Sequence, residues 1–198
     1  MHNGRIDLGG VKMSKSLGNV LWANDLLDKV PYQVYRLLIL NVPYRQPLNY
    51  KEELLQQATN DYEKIKRSYI SLYRDLEMND FTFDKVEITD ENLQNEKETF
   101  VEAMSNDFNT ANAITSIFKM SKIINNLIRD KNASGEIKKQ AMQLYKEMLW
   151  VLGIEVDITP LTPEEKNIVC KWYEARNNKD FTLADELRKE INERKIVL

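Results

Sequence analysis

The chain has 198 residues, 42% of them hydrophobic and 30% charged, with five prolines and six glycines: an ordinary globular composition, richer in helix formers than in turn formers. Its formal charge of -3 excludes a protein that holds nucleic acid by bulk charge, so such a partner would have to use local patches. The single cysteine, Cys170, excludes an intrachain disulfide, and no apolar run nears the roughly 20 residues of a membrane span; a cytoplasmic protein with no membrane partner is expected.

Charge is unevenly spread. Residues 1–52 carry seven Lys/Arg against four Asp/Glu, residues 53–158 carry 13 against 19, and residues 159–198 carry eight of each. Four of the six glycines fall within the first 18 residues, so irregular backbone is concentrated there and helices should dominate afterwards. His2 and Cys170 stand at opposite ends, which leaves no cluster of the kind that binds zinc, and no metal site is expected. The apolar spacing around Cys170 predicts a small core residue.

In chain order, Ile6 and Leu8 alternate with Arg5 and Asp7 up to a Gly9-Gly10 turn signal, which predicts a short hairpin closed by a type I' turn. A brief helix is expected near Asn24 to Val30, capped at Ala23 or Asn24. Pro31 fits the first position of the next helix, with Val34, Leu37, Leu38 and Ile39 as its buried stripe. Tyr44 to Leu48 reads as an extended link. Asn49 and Glu52 have the spacing of a capping box at the head of a long helix running to about Leu76. There Leu54, Ala58, Tyr62, Ile65, Tyr69, Leu72 and Leu76 make the buried face, and Lys64, Lys66, Arg67 and Arg74 lie off it.

A polar link over 79–91, with weak strand character at 82–86, leads to a helix over about 91–104. Asn109 is the expected cap of the following helix, with Phe108 packing as a staple on Ala113 or Ile114. That helix buries Ile114, Ile117, Met120 or Ile124, and Leu127, and breaks at 132–135. The next buries Ile137, Ala141, Leu144, Met148 and Leu152 and ends on Gly153. Thr162-Pro163-Glu164-Glu165 starts a helix carrying Ile168, Trp172 and Ala175, and Asp180 or Thr182 caps a last one with Leu183, Leu187 and Ile191 inside. The fold class is therefore mainly α: a short N-terminal β-hairpin and loop, then an antiparallel helical bundle. The expected divisions are 1–49, 50–158 and a C-terminal helical hairpin at 159–198.

The stretch that carries chemistry is Lys12-Met13-Ser14-Lys15-Ser16. Two ammonium groups and two hydroxyls within five residues, flanked by Gly9-Gly10 and Gly18, describe a mobile loop suited to closing over phosphates. A lysine ammonium is a compact charge on a flexible stem and can follow charge that moves during reaction. These residues match the KMSKS signature of class I aminoacyl-tRNA synthetases. Further segments resemble one family, cysteinyl-tRNA synthetase: His2-Asn3-Gly4 before the loop, Leu17-Gly18-Asn19 after it, Tyr44 to Asn49, the DFNT-like Asp107-Phe108-Asn109-Thr110, and Ala175-Arg176, Lys179-Asp180-Phe181, Ala184-Asp185 and Arg188 near the end. Asn106 and Ala111 depart from the family pattern, where an acidic residue and a proline are usual.

The resemblance implies ATP-dependent activation of cysteine, with Mg2+ accompanying the ATP, and transfer to cysteine tRNA. Lys15 and Lys12 would be catalytic, residues Lys12, Met13, Ser14, Lys15 and Ser16 would bind ATP, and Arg36, Arg45, Lys64 and Arg67 are the candidate tRNA contacts. The family's nucleotide-binding domain, with its His-x-Gly-His motif and zinc ligands, has no counterpart in a chain with one histidine. The expectation is a fragment, inactive alone. Two other readings remain open: a related cysteine ligase of mycothiol synthesis, and a non-catalytic helical module that binds tRNA or protein.

Overall fold

The computed structural model describes residues 2–198. Gly9 and Gly10 adopt φ of 61° and 85°, the left-handed pair that a two-residue turn requires, and join β1 (Ile6–Leu8) to β2 (Val11–Lys12). Asp7 pairs with Lys12 and Leu8 with Val11, so the expected hairpin forms. A third strand, β3 (Leu48–Tyr50), lies parallel to β1 with Ile6 opposite Leu48 and Leu8 opposite Tyr50, giving the order β2-β1-β3. The approach needs glycine at position 4, because a Cβ there would stand 2.0 Å from the Gln46 carbonyl oxygen.

β3 changes how the following helix begins. Asn49 is in the strand and its Oδ1 accepts a hydrogen bond from Gly10 N (2.8 Å), so the expected capping box does not form, and α3 (Glu52–Met78) starts without a side-chain cap at Lys51. Its buried face is one residue out of register at the start: Leu55 is buried and Leu54 is 40% exposed. From Ala58 to Leu76 the expected stripe is buried.

Before α3 come α1 (Ala23–Leu27) and α2 (Tyr32–Leu40). Pro31 is the residue just ahead of α2 rather than its first helical position, and Ile39 is exposed, leaving Val34, Leu37 and Leu38 inside. The link after α3 has no strand at 82–86. Phe83 stacks flat on Tyr73 at 4.4 Å, and Gln140 Oε1 accepts from Thr89 N and Asp90 N, so side chains rather than a sheet ladder hold this segment.

Next are α4 (Glu91–Ser105), α5 (Thr110–Arg129) and α6 (Gly135–Val151), capped by Asp90, Asn109 and Ser134. They pack with α3 around one apolar core that includes Ile65, Leu72, Ile117, Met120 and Tyr145. The Phe108 staple does not close; that ring is 52% exposed at a residue with φ of 53°. Within the core the Tyr145 hydroxyl and Ser121 Oγ satisfy each other at 2.6 Å.

The chain ends in α7 (Pro163–Asn177), opened by the capping box of Thr162 and Glu165, and α8 (Phe181–Glu193), capped by Asp180. These two helices pack on each other around a second, smaller cluster of Leu161, Ile168, Val169 and Ile191, against which Met78 of α3 also packs. Leu183 is exposed and Ala184 takes its inner place. Cys170 is also exposed, one position past the buried pair Ile168 and Val169, which corrects the core role expected for it.

Arg74, expected on the solvent side, is 4% exposed and forms the joint to this hairpin. Its Nη1 lies 2.5 Å from Glu77 Oε2 and its Nε donates to Val197 O (2.9 Å); Glu77 Oε1 accepts from Leu161 N (2.7 Å). Breaking a buried pair on one side leaves the other charge uncompensated, at a cost of about 3–5 kcal/mol. Arg74→Ala is therefore expected to lower urea-unfolding stability by about that amount and to make the connection before α7 susceptible to limited proteolysis.

Stability should also fall in alkali. Burial, aided by the Glu52 carboxylate, pushes the Tyr50 phenol up to about 12 from its ordinary 10.0, and burial with Asp157 does the same to Tyr62. Tyr145 moves in the same direction through burial. A pKa raised on folding gives stability that is complete below the unfolded value and is lost as pH rises through the folded one. Urea midpoints should hold steady to about pH 10 and decline as pH approaches about 12, with tyrosinate absorbance rising in step.

Candidate catalytic loop and nucleic-acid interface

The lysine loop grows directly out of the sheet. Met13 N donates to Ile6 O (3.0 Å), which extends the β1–β2 ladder to the middle of the signature. A 3-10 turn over Lys15–Leu17 follows, closed by Gly18 at φ 65° with its N-H donating to Lys15 O. Asn19 braces the loop across its mouth: Nδ2 donates to Lys12 O (3.1 Å) and Oδ1 accepts from Ser14 N (2.9 Å). Ser14 Oγ and Ser16 Oγ are 2.7 Å apart. One side-chain amide thus gives the loop its shape, while its polar tips face outward.

Both loop ammonium groups are uncommitted. Lys12 and Lys15 are exposed, and among the described residues neither has an ion-pair partner. Lys15 Nζ rests 5.4 Å from the centre of the half-exposed Trp22 ring. Arg5, Lys12, Met13, Ser14 and Lys15 bound an open cleft of about 250 Å³, with Arg5 held by Asp7 at 3.0 Å. Two free cations, hydroxyl donors and a braced but open backbone are what a developing pyrophosphate charge requires. Sequence reasoning noted Asn19 after Gly18 as part of the resemblance but gave it no bracing role, and missed Trp22.

The four candidate tRNA contacts separate. Arg36 Nε donates to Leu152 O at the end of α6, a structural bond. Arg45 is exposed but paired with Asp107 (3.1 Å) and bonded to the Tyr44 hydroxyl (2.8 Å). Lys64 is exposed, paired with Asp61 (3.0 Å) and poised over Phe118. Arg67 is exposed with no ion pair among the described residues. The structure does not bring these four into one cluster with the loop.

The DFNT-like segment acts as a connector. The Tyr44 hydroxyl donates to Asp107 Oδ1 (2.8 Å), and Thr110 Oγ1 donates to Leu40 O (2.6 Å), fastening the start of α5 to the segment that leads into β3. Among the described residues no three His, Cys, Asp or Glu side chains gather as a metal set, and the lone His2 and the exposed Cys170 do not make the nitrogen-sulfur donor set zinc takes.

Residues 1–60 match the family model of the class I (C) tRNA synthetase catalytic domain, and residues 99–157 match the DALR domain. The chain is also similar over 76% of its length to a solved ternary complex of LeuRS from Agrobacterium radiobacter with tRNA and LeuAMS (TM-score 0.59, 19% identity, 22% of that chain), a likeness of fold. The loop, its supporting sheet and helices α1 and α2 lie within the match to the class I synthetase catalytic domain. Cysteine–tRNA ligases of a Geobacillus species and of Bacillus cereus are 37% and 36% identical to it over its whole length. The chain belongs to the cysteine–tRNA ligase family, and it spans 43% of the length of these relatives.

Asn19→Ala removes both cross-loop bonds while leaving the sheet intact. With a net value of about 1 kcal/mol for a typical bond, the Ser14 amide should exchange its hydrogen roughly five- to tenfold faster, read by hydrogen-exchange NMR, while the Met13 amide on the ladder is unchanged.

Proposed function

We propose that this chain supplies the adenylate-forming lysine loop and the tRNA-binding helices of a cytoplasmic cysteine–tRNA ligase. The observation that carries the reading is the pair of free ammonium groups, Lys12 and Lys15, on a loop braced by Asn19. Support comes from the family membership and from the DALR match over the bundle. In this reaction a cysteine carboxylate oxygen attacks the α-phosphorus of Mg2+-bound ATP, the bond to the bridging oxygen breaks, and pyrophosphate leaves. Lys15 leaves Trp22 for the departing phosphates; Lys12, fixed at the end of β2, supplies a second charge from a stationary base. A hydroxyl of the terminal ribose of cysteine tRNA then attacks the adenylate carbonyl and AMP departs.

The chain does not hold the whole machinery, since with one histidine it has no His-x-Gly-His pair to meet the adenine side of ATP. The 198 residues alone are therefore expected to give no aminoacylation. Loss of one preorganised contact to developing charge costs about 3–4 kcal/mol. In an enzyme joining this chain to the part of the Geobacillus relative that it does not match, Lys15→Ala should slow cysteine-dependent ATP–pyrophosphate exchange at least about a hundredfold with tRNA affinity unchanged. An exchange rate equal to the parent's refutes the assignment.

A further inference from the structure

We infer that the solvent face of α5, together with the polar cleft between α4 and α5, is built to receive the ribose-phosphate edge of an A-form RNA helix. The inference rests on the tRNA-binding reading above and places the contact on particular side chains.

α5 has 20 residues and no Asp or Glu among them. Its exposed positions are Asn112, Thr115, Lys119, Lys122, Asn126 and Arg129. The spacings alternate three and four, so these side chains form one straight ridge, about 26 Å long at 1.5 Å per residue. Three cations, Lys119, Lys122 and Arg129, share it with two amides and a hydroxyl, and no apolar side chain interrupts. A plain solvated helix face ordinarily mixes both signs of charge, as α4 does with Glu91, Lys97, Glu98 and Glu102. On the neighbouring α3, exposed Lys64, paired with Asp61, has its Nζ 5.9 Å from the Phe118 ring, and Asn125 donates to Ser68 Oγ (3.4 Å) at the same seam.

On its other side the ridge drops into a cleft of about 330 Å³ in which Thr99, Asn106 and Asn109 face Asn112, Thr115 and Ser116. Ser116 is 1% exposed and its Oγ has no hydrogen-bond partner. Other helical hydroxyls in this bundle, Ser121 and Thr115 among them, donate to the carbonyl four residues back; Ser116 does not. A buried hydroxyl without a partner calls for an explanation, and one is a ligand that brings its own hydroxyl. The cleft lacks aromatic side chains, so it offers no platform for a stacked base. The Glu102 carboxylate at its rim repels phosphate but accepts from a hydroxyl.

The two halves fit an RNA helix edge. Phosphates lie along Lys122 and Arg129, while 2'-hydroxyls turn toward the cleft, as in the shallow minor groove of A-form RNA; Lys119, at the cleft rim, is 4.0 Å from Glu96 of α4. DNA lacks the second group. An acidic protein would satisfy the cations but would leave the cleft unused.

The test is fluorescence anisotropy of the 198-residue chain with labelled cysteine tRNA, and with an RNA duplex and a DNA duplex of one sequence, across a salt series. Lys122→Gln with Arg129→Gln is the probe, because both side chains are exposed and carry no ion pair among the described residues. Lys85→Gln with Lys146→Gln removes the same charge elsewhere. The ridge variant should lower the slope of log affinity against log salt by about 1.5–2, the control pair should leave it in place, and the RNA duplex should bind more tightly than the DNA. An unchanged slope in the ridge variant, an equal loss in the control pair, or equal binding of the two duplexes overturns the ridge while leaving tRNA binding intact. No binding of the chain to any RNA overturns both.

Discussion

Three residues of parallel pairing between β1 and β3 set the position of everything that acts. Leu48 N donates to Arg5 O, Gly4 N to Tyr44 O and Gly9 N to Tyr50 O, and β3 passes through Lys51 straight into the long helix α3. The base of the lysine loop is thus fixed to the bundle by backbone bonds rather than by the loop itself. Asn49 strengthens the joint by accepting from Gly10 N, so the turn and the strand it serves are locked by one side chain. The proposed role of reaching moving charge would call for such a division, with a stiff base and a tip whose few bonds exchange easily. The tip here is tied back to the β2 end of the loop by the amide of Asn19, beyond the short-range bonds of its own 3-10 turn.

What could be read from the sequence was what local physics decides. The Gly9-Gly10 hairpin, the caps at Asn109, Thr162 and Asp180, and the stripe from Ala58 to Leu76 all depend on neighbours within a few residues, and all formed. Contacts across long separations were not legible. β3 is three residues long and pairs across about forty positions, so neither periodicity nor composition announces it. Once Asn49 entered that strand it was unavailable as a cap, and the α3 stripe began at Leu55. Arg74 looked like a surface cation because its partner carbonyl, Val197 O, lies 123 positions away. At the site, the lysines were visible as a motif, but the brace at Asn19 and the resting place on Trp22 are properties of the folded loop.

The C-terminal hairpin repeats the pattern of a small unit held by a few strong contacts. Its signature arginines have a structural use: Arg176 of α7 and Arg188 of α8 lie 4.8 and 5.2 Å from the Trp172 ring of α7, and Arg188 reaches across to tie α8 to α7 through that aromatic face. The joint to the bundle is the buried Arg74–Glu77 pair with Leu161 and Val197, and Lys166 Nζ adds a bond to Glu77 O (3.0 Å). Hydrogen bonds to charged groups carry direction, so this joint fixes an angle as well as a distance.

The resting state of Lys15 follows from the relative strengths of two weak and strong interactions. An exposed cation over an indole gains about 0.5–1 kcal/mol, which favours the parked position by only about two- to fivefold. A contact to developing phosphate charge in a closed site is worth about 3–4 kcal/mol. In the proposed reaction Trp22 would therefore keep the ammonium near the loop without competing with the nucleotide. A carboxylate in the same place would bind the lysine more firmly and would also repel the phosphates of the proposed reaction. An aromatic face is the better resting partner on both grounds, since it attracts the cation and carries no net charge of its own.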